Sequence, residues 1–345
     1  MNYTELQITT NFSFLRGASH PHEIADYASI LGYKEIAITD RNSFAGIVRA
    51  YAAGKKTGIR IIPACRLDLQ DGLSLLAYPT SITAYSQLCN LLTIGNRRAE
   101  KGDCHLYKTD VYKHSKDVKF IVIPPEKLNE HFNFEPSFEE ALKEYRDVFG
   151  SDLYLAASRR YQSNDSKYLY RLAQLSKELN IPMVATNDVH YHEPARRQLQ
   201  DIVTCIREKC TIHTAGFKLH PNAERYLKSK DEMLRLFKHY PDAIVRTQEI
   251  AETCQFSLDE LKYEYPEEIT SDGRTPQEEL TFLAWQGAKE RFGEPLPLKT
   301  IEAINYELKF IEEMNYAAYF LTVFDIVRFA RDQKILCRLR YLLPL

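Results

Sequence analysis

Over the first two-thirds of this 345-residue chain, short apolar runs alternate with longer segments of helical periodicity. That alternation limits the fold more than any other feature. The strand candidates are Glu5–Thr9, Glu35–Thr39, Arg60–Leu69, Ser74–Tyr78, Lys119–Ile123, Asp152–Ala156 and Met183–Thr186. Most are short and apolar toward both faces, as suits strands buried in a parallel sheet. Helical patterns lie between many of them. Pro21–Leu31 follows Ser19, an expected N-cap, and Ser43–Lys56 ends in two lysines before Gly58. Repeated strand–helix–strand units predict an α/β fold. About seven strands predict a closed or nearly closed barrel, whose chemistry gathers at the C-terminal ends of its strands.

From about Tyr191 the pattern turns mainly helical. Tyr263–Arg274 reads as a linker. Thr275-Pro276-Gln277-Glu278 is a capping box that opens a new helix, with Leu280, Leu283, Ala284 and Gly287 on one face. A further helix carries Ile301, Ile304, Leu308 and Ile311. A generic nucleic-acid coat would be more positive than the formal net charge of −2, so any DNA contact is expected from a local basic face or from parts absent from this chain. The seven cysteines (Cys65, Cys89, Cys104, Cys205, Cys210, Cys254 and Cys337) form no CxxC pair, which fits reduced thiols in a cytoplasmic protein better than a zinc ribbon or disulfide framework. Met1–Glu5 lacks the regions of a signal peptide, and the apolar stretch Tyr316–Phe324 is too short to span a bilayer, so no membrane partner is expected.

Four strand ends carry the site candidates: "LQITTNFSFLRGAS" from Leu6, "AITDRNS" from Ala37, "IPACRL" from Ile62 and "VATNDVHY" from Val184. These segments resemble the polymerase-and-histidinol-phosphatase (PHP) domain that opens bacterial C-family DNA polymerases. "GNRRAEKGDCHLYKTDVY" and "IPMVATNDVHYHEPARRQLQDIVTCIRE" resemble the error-prone, translesion branch. The resemblance runs from about Tyr3 to Cys337. It implies a PHP-type distorted (β/α)7-like barrel, followed by an incomplete, mainly helical start of the polymerase palm. It divides the chain into a PHP domain over 1–215, a helical connection and linker over 216–274, and a truncated palm region over 275–345.

In metal-active relatives, histidines, carboxylates and a cysteine hold divalent ions that activate water for phosphoester hydrolysis. At the matching positions this chain departs: Gln7 and Thr9 replace the opening histidines, Arg16 an aspartate, Arg41 a histidine and Arg66 a glutamate. Asp188 and His190 survive as a vestigial pair. Arginine has no lone pair to give a metal and stays charged. The resemblance therefore implies no intact metal site, with two of the arginines pairing instead with Asp188 or Asp40. No catalytic or cofactor-binding residue is assigned, and Mg2+ is expected only for the full-length parent. His20 and His22 read as a solvated helix start, Cys104-His105 as a polar loop, and the Arg97-Arg98 and Arg196-Arg197 pairs as solvated faces.

The stretch "LKFIEEMNYAAYFLTVFDIVRFARDQKIL" resembles the palm's start, which in the family leads into a glycine-rich turn for incoming phosphates. Here Arg338-Leu339-Arg340-Tyr341 follows Cys337, a sequence that the family's codons give when read out of frame. A frameshift or interrupted assembly is the expectation. The function implied is the N-terminal fragment of an error-prone DNA polymerase, expected to be inactive alone because it lacks the palm carboxylates. DNA, deoxynucleotides and other translesion proteins are the parent's expected partners. The alternatives are a metal-dependent phosphoesterase and a non-enzymatic docking module.

Overall fold

A computed structural model describes residues 2–262 and 273–336. The chain forms two compact units, Met1–Leu261 and Lys262–Leu345. The expected linker lies for the most part outside the described residues, as does the sequence from Cys337 onward.

The first unit is built on one six-stranded sheet in sequence order: β1 (Glu35–Arg41), β2 (Arg60–Leu67), β3 (Leu75–Pro79), β4 (Val118–Val122), β5 (Leu153–Ala157) and β6 (Met183–Ala185). The remaining strand candidate, residues 5–9, joins its two edges. Ala37 N–H donates to Glu5 O and Thr39 N–H to Ile8 O on one side. Thr9 N–H donates to Val189 O and Val189 N–H to Gln7 O on the other. Seven segments thus curl into a distorted barrel, as the strand count predicts. The parallel expectation fails at β3, which runs antiparallel to both β2 and β4. Its link to β2 is a short loop without a helix, and parallel neighbours need a longer crossover.

Helices α1 (Pro21–Ile30), α2 (Ile47–Thr57), α3 (Ile82–Arg98), α4 (Lys108–Lys113), α5 (Pro136–Phe149) and α6 (Asp165–Leu179) fill the connections. They cover the barrel's outer face and bury Ile36, Ile38, Leu75, Phe120 and Leu155 against Ile24, Leu88, Leu142 and Leu172. The lysines of α2 do end a helix, with Gly58 left-handed at φ 75°. The cap of α1 is His20 rather than Ser19. His20 shares a capping box with Glu23, while Ser19 Oγ instead meets His192 Nδ1 at 2.8 Å.

Inside the barrel, Leu6, Ala37, Ile62, Leu76, Tyr78, Ile121 and Val184 pack with Ile250, Ala251 and Cys254 of α9 (Pro241–Thr253) and its C-cap. Arg60, at the start of β2, bonds the carbonyls of Ala251 and Cys254 at 2.6 and 2.7 Å. Helix α9 therefore closes the N-terminal ends of the strands and leaves the C-terminal ends to α7 (Arg197–Arg207) and the loops around it. Between α7 and α9 lies α8 (Lys230–Leu236), which adds Met233 and Leu236 to the outer core.

The second unit contains α10 (Pro276–Phe292), α11 (Leu298–Glu313) and α12 (Ala317–Asp332). The predicted capping box is present, with Thr275 N–H donating to Glu278 Oε2 at 2.8 Å and Glu278 N–H to Thr275 Oγ1 at 3.3 Å. Ile304 and Leu308 pack with Ala288, Leu280 and Ala284. Among the described residues, no helix is long and apolar enough to cross a membrane.

Candidate functional site

Register explains how the first cluster forms. Arg41 and Arg66 are partners on parallel β1 and β2, so their side chains emerge side by side. Asp68, two residues beyond Arg66, emerges on the same side. Arg41 Nη1 and Arg66 Nε each reach Asp68 at 2.7 Å, and Ser74 Oγ donates to the same carboxylate at 2.7 Å. Burial alone would raise the Asp68 carboxyl, but Arg66 and Arg41 outweigh it and hold the group below the usual range. Arg41 itself is lowered, first by burial and then by Arg66. Arg16 is pushed down to about 10 by burial, then by Arg41 and Arg207. It therefore stays charged at neutral pH.

Asp188 anchors a second cluster. It is buried with a left-handed backbone at φ 48°, a conformation aspartate tolerates better than most residues. Its carboxylate accepts Gln7 Nε2 at 2.9 Å and is ion-paired by Arg225, whose other arm reaches Glu126 at 3.0 Å. His190 Nε2 lies 3.5 Å from Asp188, and His190 Nδ1–H donates to Arg16 O at 3.2 Å. Against the pull of burial, Arg225 and then His190 hold Asp188 well below the carboxylate range. Burial lowers His190 despite Asp188.

The structure corrects the expected pairings. The arginines of β1 and β2 take Asp68, and Asp188 takes Arg225. Among the described residues, Asp40 has no arginine at ion-pair distance and instead latches the loop after residue 9. Thr10 N–H and Oγ1–H donate to it at 2.8 Å each, and Ser13 Oγ–H at 2.6 Å. Thr9 and Cys65 are buried. Cys65, beside Asp40 in register, directs its thiol at Asp40 O. His20 and His22 stack on each other at the exposed start of α1. Of the basic pairs, Arg98 holds Asp110, Arg196 holds Glu23 and Arg197 holds Asp201.

Arg225, Asp68 and Glu126 were not among the sequence candidates. Arg225 comes into place through backbone pairing: His190 N–H donates to Arg225 O and Leu227 N–H to Tyr191 O. No local spacing announces that contact. Asp68 did carry a signal, the Arg-x-Asp alternation at the end of β2.

Glu5 lies beneath the site and accepts Tyr3 Oη–H at 2.7 Å, Gln7 N–H at 2.9 Å and Asn187 N–H at 3.2 Å. Burial lifts its carboxyl to about 7. Its folded value exceeds the unfolded one, so stability falls as pH rises from about 4.5 to about 7. Asp68 and Asp188 are depressed, so their stabilisation is full above the unfolded value of about 3.9 and is lost as pH falls below it. His190 and His220 are lowered and act in the opposite sense, losing stability as pH falls below the unfolded value of about 6.5. The Glu5 contribution is therefore read as a difference: relative to Glu5→Gln, the unsubstituted chain should lose thermal stability as pH rises from about 4.5 to about 7. A difference that does not change with pH would contradict the assignment to Glu5.

Residues 5–160 match the family described as the PHP domain. The chain carries a PHP domain. Beyond it, residues 278–340 match the bacterial DNA polymerase III alpha NTPase domain. The PHP domain and the helical segments after it are together similar to proteins named error-prone DNA polymerase. That of Caulobacter vibrioides is 48% identical over 337 residues, covering 97% of this chain and 31% of the relative. That of Allorhizobium ampelinum is 47% identical over 338 residues, covering 98% and 30%. The chain thus spans about 30% of the length of the curated relatives it matches. Among solved structures, an amidohydrolase from Chromobacterium violaceum superposes with a TM-score of 0.42 at 13% identity, covering 55% of this chain and 87% of that chain.

Proposed function

We propose that this chain is the N-terminal part of an error-prone DNA polymerase, in which the PHP domain is a metal-free structural base. The observation that carries the polymerase reading is identity of 47–48% sustained over 97–98% of this chain. DNA and deoxynucleotides are then substrates of the whole polymerase, and Mg2+ is its cofactor. A cytoplasmic location and other translesion proteins as partners belong to the same reading.

The metal-free reading rests on the side chains. A divalent cluster needs lone pairs from neutral imidazoles and free carboxylates. Here Asp68 is held by Arg41 and Arg66, and Asp188 by Arg225. Gln7 turns an amide donor toward Asp188 where an imidazole would be needed. Among the described residues, no group of three or more His, Cys, Asp or Glu side chains could hold a metal ion. These residues do not fit the family's metals, and no hydrolytic step is assigned to them. The phosphoesterase alternative requires the ligand set that the guanidinium groups replace.

A chimera tests the proposal. Residues 1–330 should substitute for the matching segment of the Caulobacter vibrioides polymerase, with primer extension kept within about tenfold, a barrier change near 1.4 kcal/mol. The 345-residue polypeptide by itself should extend no primer. A soluble chimera without activity, or extension by the isolated polypeptide, would contradict the proposal.

A further inference from the structure

Next to Asp188 and Arg225, within the first compact unit, lies a cavity of about 820 Å³. Six cationic side chains line it: Arg159, Arg160, Arg197, Arg225, Lys127 and Lys218. Three carboxylates face them, and each is already engaged. Arg225 holds Asp188, Glu126 lies 3.0 Å from Arg225 and 3.2 Å from Arg160, and Glu224 lies 3.3 Å from Lys228. Arg197 is bound to Asp201, which does not line the cavity. Arg159, Lys127 and Lys218 have no carboxylate at ion-pair distance among the described residues.

The Nε groups of Arg159 and Arg160 are sheltered from solvent and donate to nothing. Buried guanidinium donors without acceptors are costly, and such exceptions point to an absent partner. His220, on the same wall, is pushed down to about 2 by burial and then by Arg225 and His190, so it adds no charge of its own. Phe217 also lines the cavity and is fully exposed.

We propose that this cavity binds a phosphate oxyanion through Arg159 and Arg160, without a metal ion and without cleaving it. The planar guanidinium fork matches phosphate oxygens with paired hydrogen bonds. The same chemistry is offered by a strand's terminal phosphate and by free pyrophosphate. An exposed aromatic face beside a basic cleft is a stacking platform for a base, so Phe217 favours the strand end. Phosphate binding here is independent of the polymerase reading, because it depends only on these side chains.

Calorimetric titration of the 345-residue chain in excess chelator tests it, using pyrophosphate and short single strands with 5′-phosphate or 5′-hydroxyl ends. Both phosphate ligands, or one of them, should bind saturably, and the 5′-hydroxyl strand should bind more weakly than its phosphorylated twin. Combined Arg159→Gln and Arg160→Gln should weaken phosphate binding about tenfold or more. Phe217→Ala should weaken the strand but not pyrophosphate if the strand end is the occupant. Lys218→Gln, at an exposed position, should lower affinity about two- to threefold and serves if the arginine variants fail to fold. Absence of saturable phosphate binding, or affinity unchanged in Lys218→Gln and in a folded double-arginine variant, would overturn the proposal.

Discussion

Arg225→Met should destabilise the first compact unit by about 3–5 kcal/mol, the usual cost of removing one partner of a buried ion pair. Arg225 and Asp188 both lie largely out of solvent, with side-chain exposures of 14% and 9%. Methionine keeps much of the volume but leaves the carboxylate without its ion-pair partner, beside Gln7 and a histidine whose charged form burial disfavours. The cost should be specific to the unpaired charge. Asp188→Asn introduced on top of Arg225→Met should recover a large share of the loss, because the remaining group is neutral and still accepts from Gln7. Urea unfolding of the two singles and the double closes the cycle. Additive losses would show that Arg225 acts through packing instead.

Asp68→Leu is the second large effect, with an expected loss of about 2–4 kcal/mol. The substitution strips Arg41 and Arg66 of their shared acceptor and leaves them beside Arg16, which already feels the charge of both. Three guanidinium groups would then face one another at one end of the barrel. Such repulsion is partly screened, so the loss should shrink as salt is raised. Arg66→Met added to Asp68→Leu should restore part of it. A folded Asp68→Leu protein with unchanged stability in low salt would contradict the clamp.

The difference between these two clusters shows what the sequence could disclose. Arg66 and Asp68 belong to one strand end, and their alternation is readable once β2 is recognised. Arg225 is 37 residues from Asp188 along the chain and arrives through backbone pairing with the segment after β6. Only tertiary structure brings it there, so the sequence pointed Asp188 toward the wrong arginines. The fold shows the same division. Strand positions, the Gly58 stop and the Thr275 capping box follow from local chemistry and appear as predicted. The direction of β3 and the placement of α9 against the strand starts depend on how segments meet, which periodicity does not encode. The Ser19 reading erred because two neighbouring residues could cap α1, and Ser19 had a distant competitor in His192.

The metal-free PHP domain proposed above, in which guanidinium groups engage Asp68 and Asp188, is tested most directly by metal content. The purified chain, incubated with zinc and with manganese and then desalted, can be analysed for metal by inductively coupled plasma mass spectrometry. The expected result is less than about 0.1 ion per chain, where an intact site would retain roughly one or more. Retention near one ion per chain, abolished by Asp188→Asn, would contradict it.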